Sequence, residues 1–561
     1  MYQSLVTLDG NALKNTGAIN IVPMLASNWT ISPDGLTYTF NLRNVSFTSG
    51  NPMNSYSLWG EFYGLYYLTA NNSYWWLDYP VFNMNDSNFG PAVLAMMNSS
   101  GVVHPSQALL SIMQNQTWPI YVTSPSQIVF HLKAPFNYFL GTLVVFQGLV
   151  FDTQWLLDHG GFGPPGTYNS YFNNNPIPGT GPYVVTSVST NSYIKFAQNP
   201  NYWAKSMSPA ELAANAYLDP GHAQNVVIQV KADDFSRFTD LQGSTSSSPV
   251  MSTILDQNWP TVIGNPTKYD YSQVPQKSML ITGIALNVLR YPTNITAVRN
   301  AIYDAVNYSD INRTAYGGEL YPWVGPEYPA WTQFYNLGGA PAWPTNVTKA
   351  QDLLTAACNN DSAACTKNFP TLDFRILQGC TFCLNTATIV QSNLKVLGIN
   401  VNVEQTPSAN YACATGGAQG VAGPCSFAAS AAGNGTESQL TWLGAFTFAP
   451  GADTPADPWL GWVNGLTPAN NWAIYSNPVV QKCDNEFTST SNNATLIADC
   501  TAAQQQINHD TPYVWVGSLK LVDGSGSVVW QKSQITGGLL DPVYTGQSDT
   551  VIFNTVQFAG S

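Results

Sequence analysis

Hydrophobic and polar positions alternate most regularly near the start of the chain, where Leu36, Tyr38, Phe40 and Leu42 are separated by polar residues. A period of two predicts a half-buried strand, and Asp34-Gly35 just before it predicts the hairpin turn that leads in. Gln127-Ile-Val-Phe-His-Leu132, Tyr183-Val-Val-Thr-Ser-Val188 and Asn225-Val-Val-Ile-Gln-Val-Lys231 read as further strands. A helical period takes over in 295–306, where Val298, Ile302 and Ala305 fall on one face. Two late helices are expected at about 478–489 and 493–508. Gly243-Ser-Thr-Ser-Ser-Ser-Pro249 is a small polar tract of the kind that marks a loop. The mixture of strands and helices is that of an α/β protein.

With 561 residues the chain is long enough for several cores, and a hydrophobic content of 44% excludes general disorder. Only 9% of the residues are charged, against about 25% in an ordinary soluble domain. Asn, Ser, Thr, Gly and aromatics must therefore cover the surface. Asn-x-Ser/Thr sequons begin at Asn28, Asn44, Asn71, Asn85, Asn98, Asn115, Asn294, Asn307, Asn312, Asn346, Asn360, Asn434 and Asn493, a density that predicts a glycosylated exterior protein. The net charge of -13, with 19 Lys and Arg, argues against nucleic acid, because phosphate binding needs clustered cations. So few titrating groups also suit an acidic habitat, since protonation changes the overall field less than usual.

All eight cysteines lie between Cys358 and Cys500. Proximity suggests Cys358 with Cys365, Cys380 with Cys383, Cys413 with Cys425, and Cys483 with Cys500, which in a sequon-rich chain reads as disulfides of an oxidising compartment. Cys380-Thr-Phe-Cys383 also has the spacing of a zinc half-site and of a redox-active pair.

Catalytic signatures are lacking. The chain has no Gly-x-Ser-x-Gly elbow, no His-Glu-x-x-His and no phosphate loop, and His104, His131, His159, His222 and His509 are scattered without ligand spacing. Two convergent carboxylates would suffice for a glycosidase, which spacing does not test. The reading is therefore a non-enzyme that calls for no metal and no cofactor. Aromatics at 13%, with 17 Trp, instead supply faces that stack on sugars or line peptide pockets, although any single Trp is more often core.

The most specific stretch is Asn175-Pro-Ile-Pro-Gly-Thr-Gly-Pro-Tyr183, followed by Asn199-Pro-Asn-Tyr-Trp203. Gly179 and Gly181 permit tight backbone geometry, and Pro182 fixes φ before the strand. Around the pair stand Pro23-Met-Leu-Ala26, Trp29, Ser32-Pro-Asp-Gly-Leu-Thr-Tyr-Thr-Phe-Asn-Leu-Arg43 and Phe47-Thr-Ser-Gly-Asn-Pro52. Later come Ala285-Leu-Asn287, Val298-Arg-Asn-Ala-Ile-Tyr-Asp-Ala-Val-Asn307, Ala350-Gln-Asp-Leu-Leu354, Leu394-Lys-Val-Leu-Gly-Ile-Asn-Val401 and Asp457-Pro458. This ordered series resembles the family 5 extracellular solute-binding proteins, the oligopeptide and dipeptide receptors of ABC importers.

The resemblance implies a two-lobed, periplasmic-binding-protein-like α/β fold with an inserted subdomain in lobe I. Lobe I would comprise 1–27, the inserted subdomain 28–174, the segment 175–283 and a return segment 512–561, while 284–511 would form lobe II. Met1-Tyr-Gln-Ser-Leu5 matches the middle of the family's first conserved segment, so a leader, a first strand and any membrane anchor are expected outside these residues. Implied partners are a peptide or oligosaccharide ligand and an ABC transporter membrane permease, and the implied place is the extracellular cell surface.

In peptide-binding relatives an Asp shortly before Asp-Pro receives the ligand's α-ammonium. Asp453 is the matching residue, one position further from the pair than usual, and Trp442, Trp459 and Trp462 flank it. Gln3 stands where the family often has Glu, which removes an acidic contact and admits an oligosaccharide receptor. A surface-layer or filament protein reusing the fold is the third reading.

Overall fold

The computed structural model describes the chain except residues 10, 13–19, 69–80, 82–88, 137, 145–147, 165, 166, 168, 232, 255–257, 272–279, 319, 328–332, 407–439, 448–472, 488–491, 520–527, 541–550, 560 and 561. The chain forms two compact units: Met1–Ser272 with Ala449–Thr454 and Gly524–Ser561, and Gln273–Phe448 with Pro455–Asp523.

In the first unit the predicted hairpin is present. Ala26–Ile31 pairs antiparallel with Thr37–Leu42 across a turn in which Gly35 has φ +73° and Asp34 Oδ1 accepts from the Leu36 amide at 3.0 Å. Tyr38, Phe40 and Leu42 are buried, as the alternation requires. Gln127–His131 and then Ile120–Ser124 complete a four-stranded antiparallel sheet.

The helix Ser55–Leu68 packs on this sheet. Its Trp59 is fully buried, donates Nε1–H to the Ile120 carbonyl at 3.0 Å, and sits 4.6 Å from the Tyr63 ring and 5.4 Å from Trp118. Much of the aromatic content is thus spent in the core, where ring pairs add to area burial. Residues 28–174 do not own a separate core. One buried cluster runs from Leu5 through that segment to Tyr202 and Leu218.

The second unit holds a six-stranded mixed sheet in the order Leu320–Tyr321, Tyr513–Leu519, Leu280–Leu286, Leu440–Thr447, Leu372–Leu377, Val401–Thr406. Leu372–Leu377 and Val401–Thr406 run parallel, joined by the helix Thr381–Val396 in the crossover that parallel neighbours need. The predicted helix is Thr296–Ala305, with Val298, Ile302 and Ala305 all buried. The late pair is Pro478–Phe487 and Asn493–Asp510, and the Cys483–Cys500 disulfide joins the two helices, with Cα atoms 4.8 Å apart.

Two expected boundaries move. Tyr513–Leu519, assigned above to the return segment 512–561, is a strand of the second unit, paired to Leu280–Leu286 at Ala285↔Tyr513 and to Leu320–Tyr321 on its other side. Val514 and Val516 fill that unit's core, which is why the chain leaves it only after Asp523. Likewise Leu280–Leu286 lies wholly in the second unit, so the first crossing precedes the expected 283/284 division.

Candidate functional site

The signature pair is a hub for the first unit. Gly181 donates its amide to the Met1 carbonyl at 2.9 Å, and a Cβ at Gly179 would stand 2.4 Å from that same oxygen. Both glycines are therefore required by close approach of the backbone at Met1, not by left-handed φ. Asn199 closes the second half on the first: its amide donates to the Pro182 carbonyl at 2.7 Å and its Nδ2 to the Gly181 carbonyl at 2.9 Å.

Gln3 lies at the centre of this hub and is 4% exposed. Its Nε2 donates to Tyr202 Oη at 2.8 Å and to Met24 Sδ at 3.5 Å, while its Oε1 accepts from Thr180 Oγ1 at 3.0 Å and Trp203 Nε1 at 2.9 Å. Both donors and both acceptor positions are used. The expected ligand contact at Gln3 is thus corrected to a structural one, because no polar atom of the amide is left for a solute. Burial, aided by the charge of Asp219, pushes the Tyr202 phenol above its ordinary range, so it stays neutral in this network.

Trp442 stands on Leu440–Thr447, in register with Ile284. Asp453, Trp459 and Trp462 lie outside the described residues, as do Cys413, Cys425, Asn71, Asn85 and Asn434. The other cysteines pair as spacing suggested: Cys358–Cys365, Cys380–Cys383 and Cys483–Cys500. Of the sequon asparagines, Asn28, Asn44, Asn98, Asn115, Asn294, Asn346, Asn360 and Asn493 are exposed, whereas Asn307 and Asn312 are half-buried and accept from the Asp310 and Leu320 amides.

A cavity of about 330 Å³ in the second unit was not foreseen. Asn300, Tyr303, Asp304, Lys349, Thr511 and Trp515 are among its walls. Lys349 Nζ bonds the buried Asp304 carboxylate at 2.8 Å, and burial raises the Tyr303 phenol above its ordinary range. The walls come from segments some 200 residues apart, which no local pattern links. Among the described residues no group of three or more His, Cys, Asp or Glu side chains is placed to hold a metal ion, and no helix is long and apolar enough to cross a membrane.

Residues 20–464 match the model of the bacterial extracellular solute-binding proteins, family 5. The chain belongs to this family. It is 26% identical to di/tripeptide-binding protein 2 of Pseudomonas aeruginosa over 399 residues, which are 69% of this chain and 64% of that relative. Against the nickel-binding periplasmic protein of Escherichia coli it is 23% identical over 303 residues, 53% of this chain and 46% of the relative. These matches thus span about half to two thirds of the curated relatives' own length.

Among solved structures, the dipeptide-binding protein of Pseudoalteromonas in complex with Met-Leu superimposes with TM-score 0.64 at 15% identity, covering 100% of this chain and 94% of that one. The NikZ protein of Campylobacter jejuni in complex with Ni(L-His) gives 0.65 at 16%, covering 99% and 91%. The α/β, periplasmic-binding-protein-like class expected from sequence is therefore the observed fold. Family 5 proteins are extracellular or periplasmic solute-binding proteins of ABC importers.

Proposed function

We propose that this family 5 protein captures short peptides outside the membrane and hands them to an ABC transporter permease, with closure of the two lobes about their hinge enclosing the ligand. The observation that carries the reading is the family match over residues 20–464 together with a dipeptide complex among the structural neighbours. Gln3 does not count against it. Its neutrality was the reason to favour an oligosaccharide, and a glutamine engaged in the Thr180–Tyr202–Trp203 network carries no information about ligand charge. Asp453 remains the proposed acceptor of the ligand's α-ammonium, with Trp442, Trp459 and Trp462 as apolar walls.

Native mass spectrometry of the purified protein tests this, followed by calorimetric titration of any retained species. A retained peptide supports the proposal. A retained oligosaccharide replaces peptide with sugar at the same receptor, and a retained nickel complex overturns the peptide reading. A protein that binds nothing but assembles into a regular lattice turns the fold into a structural element of a surface layer.

A further inference from the structure

The Cys380–Cys383 disulfide occupies a setting unlike the other two described ones. Cys380 is the N-cap of Thr381–Val396, a 16-residue helix, and its Sγ accepts the Cys383 amide at 3.3 Å. Gly379, at φ +81°, turns the chain into that cap. Cys380 is half-buried, whereas Cys383, one turn inside, is 0% exposed in the core of the second unit. Cys380 thus stands half-buried at the positive end of a helix, packed against the edge of the core, and its partner is sealed behind it.

The remaining bridges reverse one feature or the other. Cys358 lies in the last turn of Val347–Asn360, at the negative end of its helix, where a thiolate is disfavoured. Cys483 and Cys500 are both 0% exposed. Access and charge stabilisation coincide only at Cys380–Cys383 among the described disulfides.

We propose that Cys380–Cys383 is a redox-active pair that exchanges with low-molecular-weight thiols in the folded protein. An incoming thiolate attacks Cys380 Sγ, because Cys383 cannot be reached. The new S–S bond forms as the Cys380–Cys383 bond breaks, and the bonding electron pair leaves on Cys383 sulfur, which then takes a proton from water. A second thiolate attacks the sulfur of the bound thiol. Cys380 departs as a thiolate, stabilised by the helix N-terminus and by the same Cys383 amide that bonds its sulfur now. The pair gains two electrons, and two thiols become one external disulfide. Run backwards with a disulfide as oxidant, the exchange restores the bridge. This inference does not depend on which solute the protein binds.

The test is to titrate the intact, oxidised protein with reduced glutathione, quench in acid, denature, alkylate, and map all cysteines without reduction. Half-opening of Cys380–Cys383 is expected at about tenfold or more lower thiol than either other described bridge, equivalent to roughly 60 mV in potential because two thiols enter each exchange. The glutathione adduct is expected on Cys380. Opening no earlier than Cys358–Cys365 or Cys483–Cys500, an adduct on Cys383, or opening only as the folded signal disappears each overturns the proposal. Cys380→Ser supplies a second readout, since serine preserves the helix cap. Offered oxidised glutathione, whose disulfide a free thiol can attack, the folded variant should take up none, and uptake at Cys383 would show that the buried sulfur is reachable and the assignment wrong.

Discussion

Gln3 and Tyr202 are separated by 199 residues and joined by a 2.8 Å hydrogen bond between buried side chains. Together with Thr180 and Trp203 they tie the first strand to both halves of the signature pair. Gln3→Leu fills the space but leaves two donors, Thr180 Oγ1 and Trp203 Nε1, and the Tyr202 hydroxyl that accepts from Gln3 facing an apolar side chain, and each orphaned buried group costs about 1–3 kcal/mol. The expected loss is on the order of 3 kcal/mol in denaturant unfolding, with ligand affinity of the folded protein unchanged. Intact stability with affinity reduced about tenfold or more would return Gln3 to the ligand site. Gln3→Glu should be far milder, because the Tyr202 hydroxyl can rotate to donate.

Glu61 gives a pH prediction. It is 1% exposed on the helix Ser55–Leu68, its Oε2 accepts the Phe151 amide at 3.2 Å, and burial, aided by the nearby Asp152, holds its carboxyl well above the ordinary glutamate range. A raised folded pKa means the folded state favours the protonated acid. This contribution is complete below the unfolded-state pKa and is lost as pH rises through the folded one. Glu61→Gln should therefore raise the thermal midpoint at pH 8, change it little at pH 4, and flatten the profile between. An equal shift at both pH values would mean Glu61 does not titrate in that window.

The sequence made legible whatever is decided by neighbours along the chain. Asp34-Gly35 needs only its own turn chemistry, Val298, Ile302 and Ala305 only the helical period, and Cys483 and Cys500 only two adjacent helices. Choices made by distant partners were hidden. Tyr513–Leu519 reads as a strand, but which sheet receives it depends on Leu280–Leu286, more than 200 residues earlier. Gln3 looked like a ligand residue because a buried glutamine and a lining one are the same letter, and only residues 180, 202 and 203 distinguish them. The cavity beside Asp304 and Lys349 escaped for the same reason.

Non-reducing peptide mapping should link Cys413 to Cys425 as well as the three described pairs. Replacing Cys483 and Cys500 together by Ala opens a bridge of sequence separation 17, and a closed loop of about that length is worth roughly 3 kcal/mol through the unfolded state. A double variant as stable as the parent would show that helix packing alone holds Pro478–Phe487 against Asn493–Asp510.

Glycan occupancy should follow exposure. Asn44 and Asn294 are exposed, whereas Asn307 and Asn312 are half-buried and use their side-chain oxygens to hold the Asp310 and Leu320 amides at 3.0 and 2.9 Å. Glycopeptide mapping of protein from its native source is expected to find sugar at the first two and none at the second two. A wholly unmodified native protein would remove the argument for a glycosylated exterior.

Ligand class turns on Asp453 and Trp442. A peptide brings an α-ammonium, and a charge-assisted bond to a carboxylate contributes about 1.5–3 kcal/mol, so Asp453→Asn should weaken peptide binding roughly ten- to a hundredfold. Trp442→Ala would then cost affinity chiefly for bulky side chains. For an oligosaccharide the order reverses. Asp453→Asn would disturb a single hydroxyl contact, whereas Trp442→Ala would remove a ring on which a sugar stacks and would be the more damaging change. Calorimetric titration of both variants against peptide and oligosaccharide panels separates these cases, and thermal unfolding of each variant guards against a folding defect. If both variants fold and neither alters any binding, the ligand is held elsewhere in the protein and the assignment of Asp453 and Trp442 falls for peptide and sugar alike.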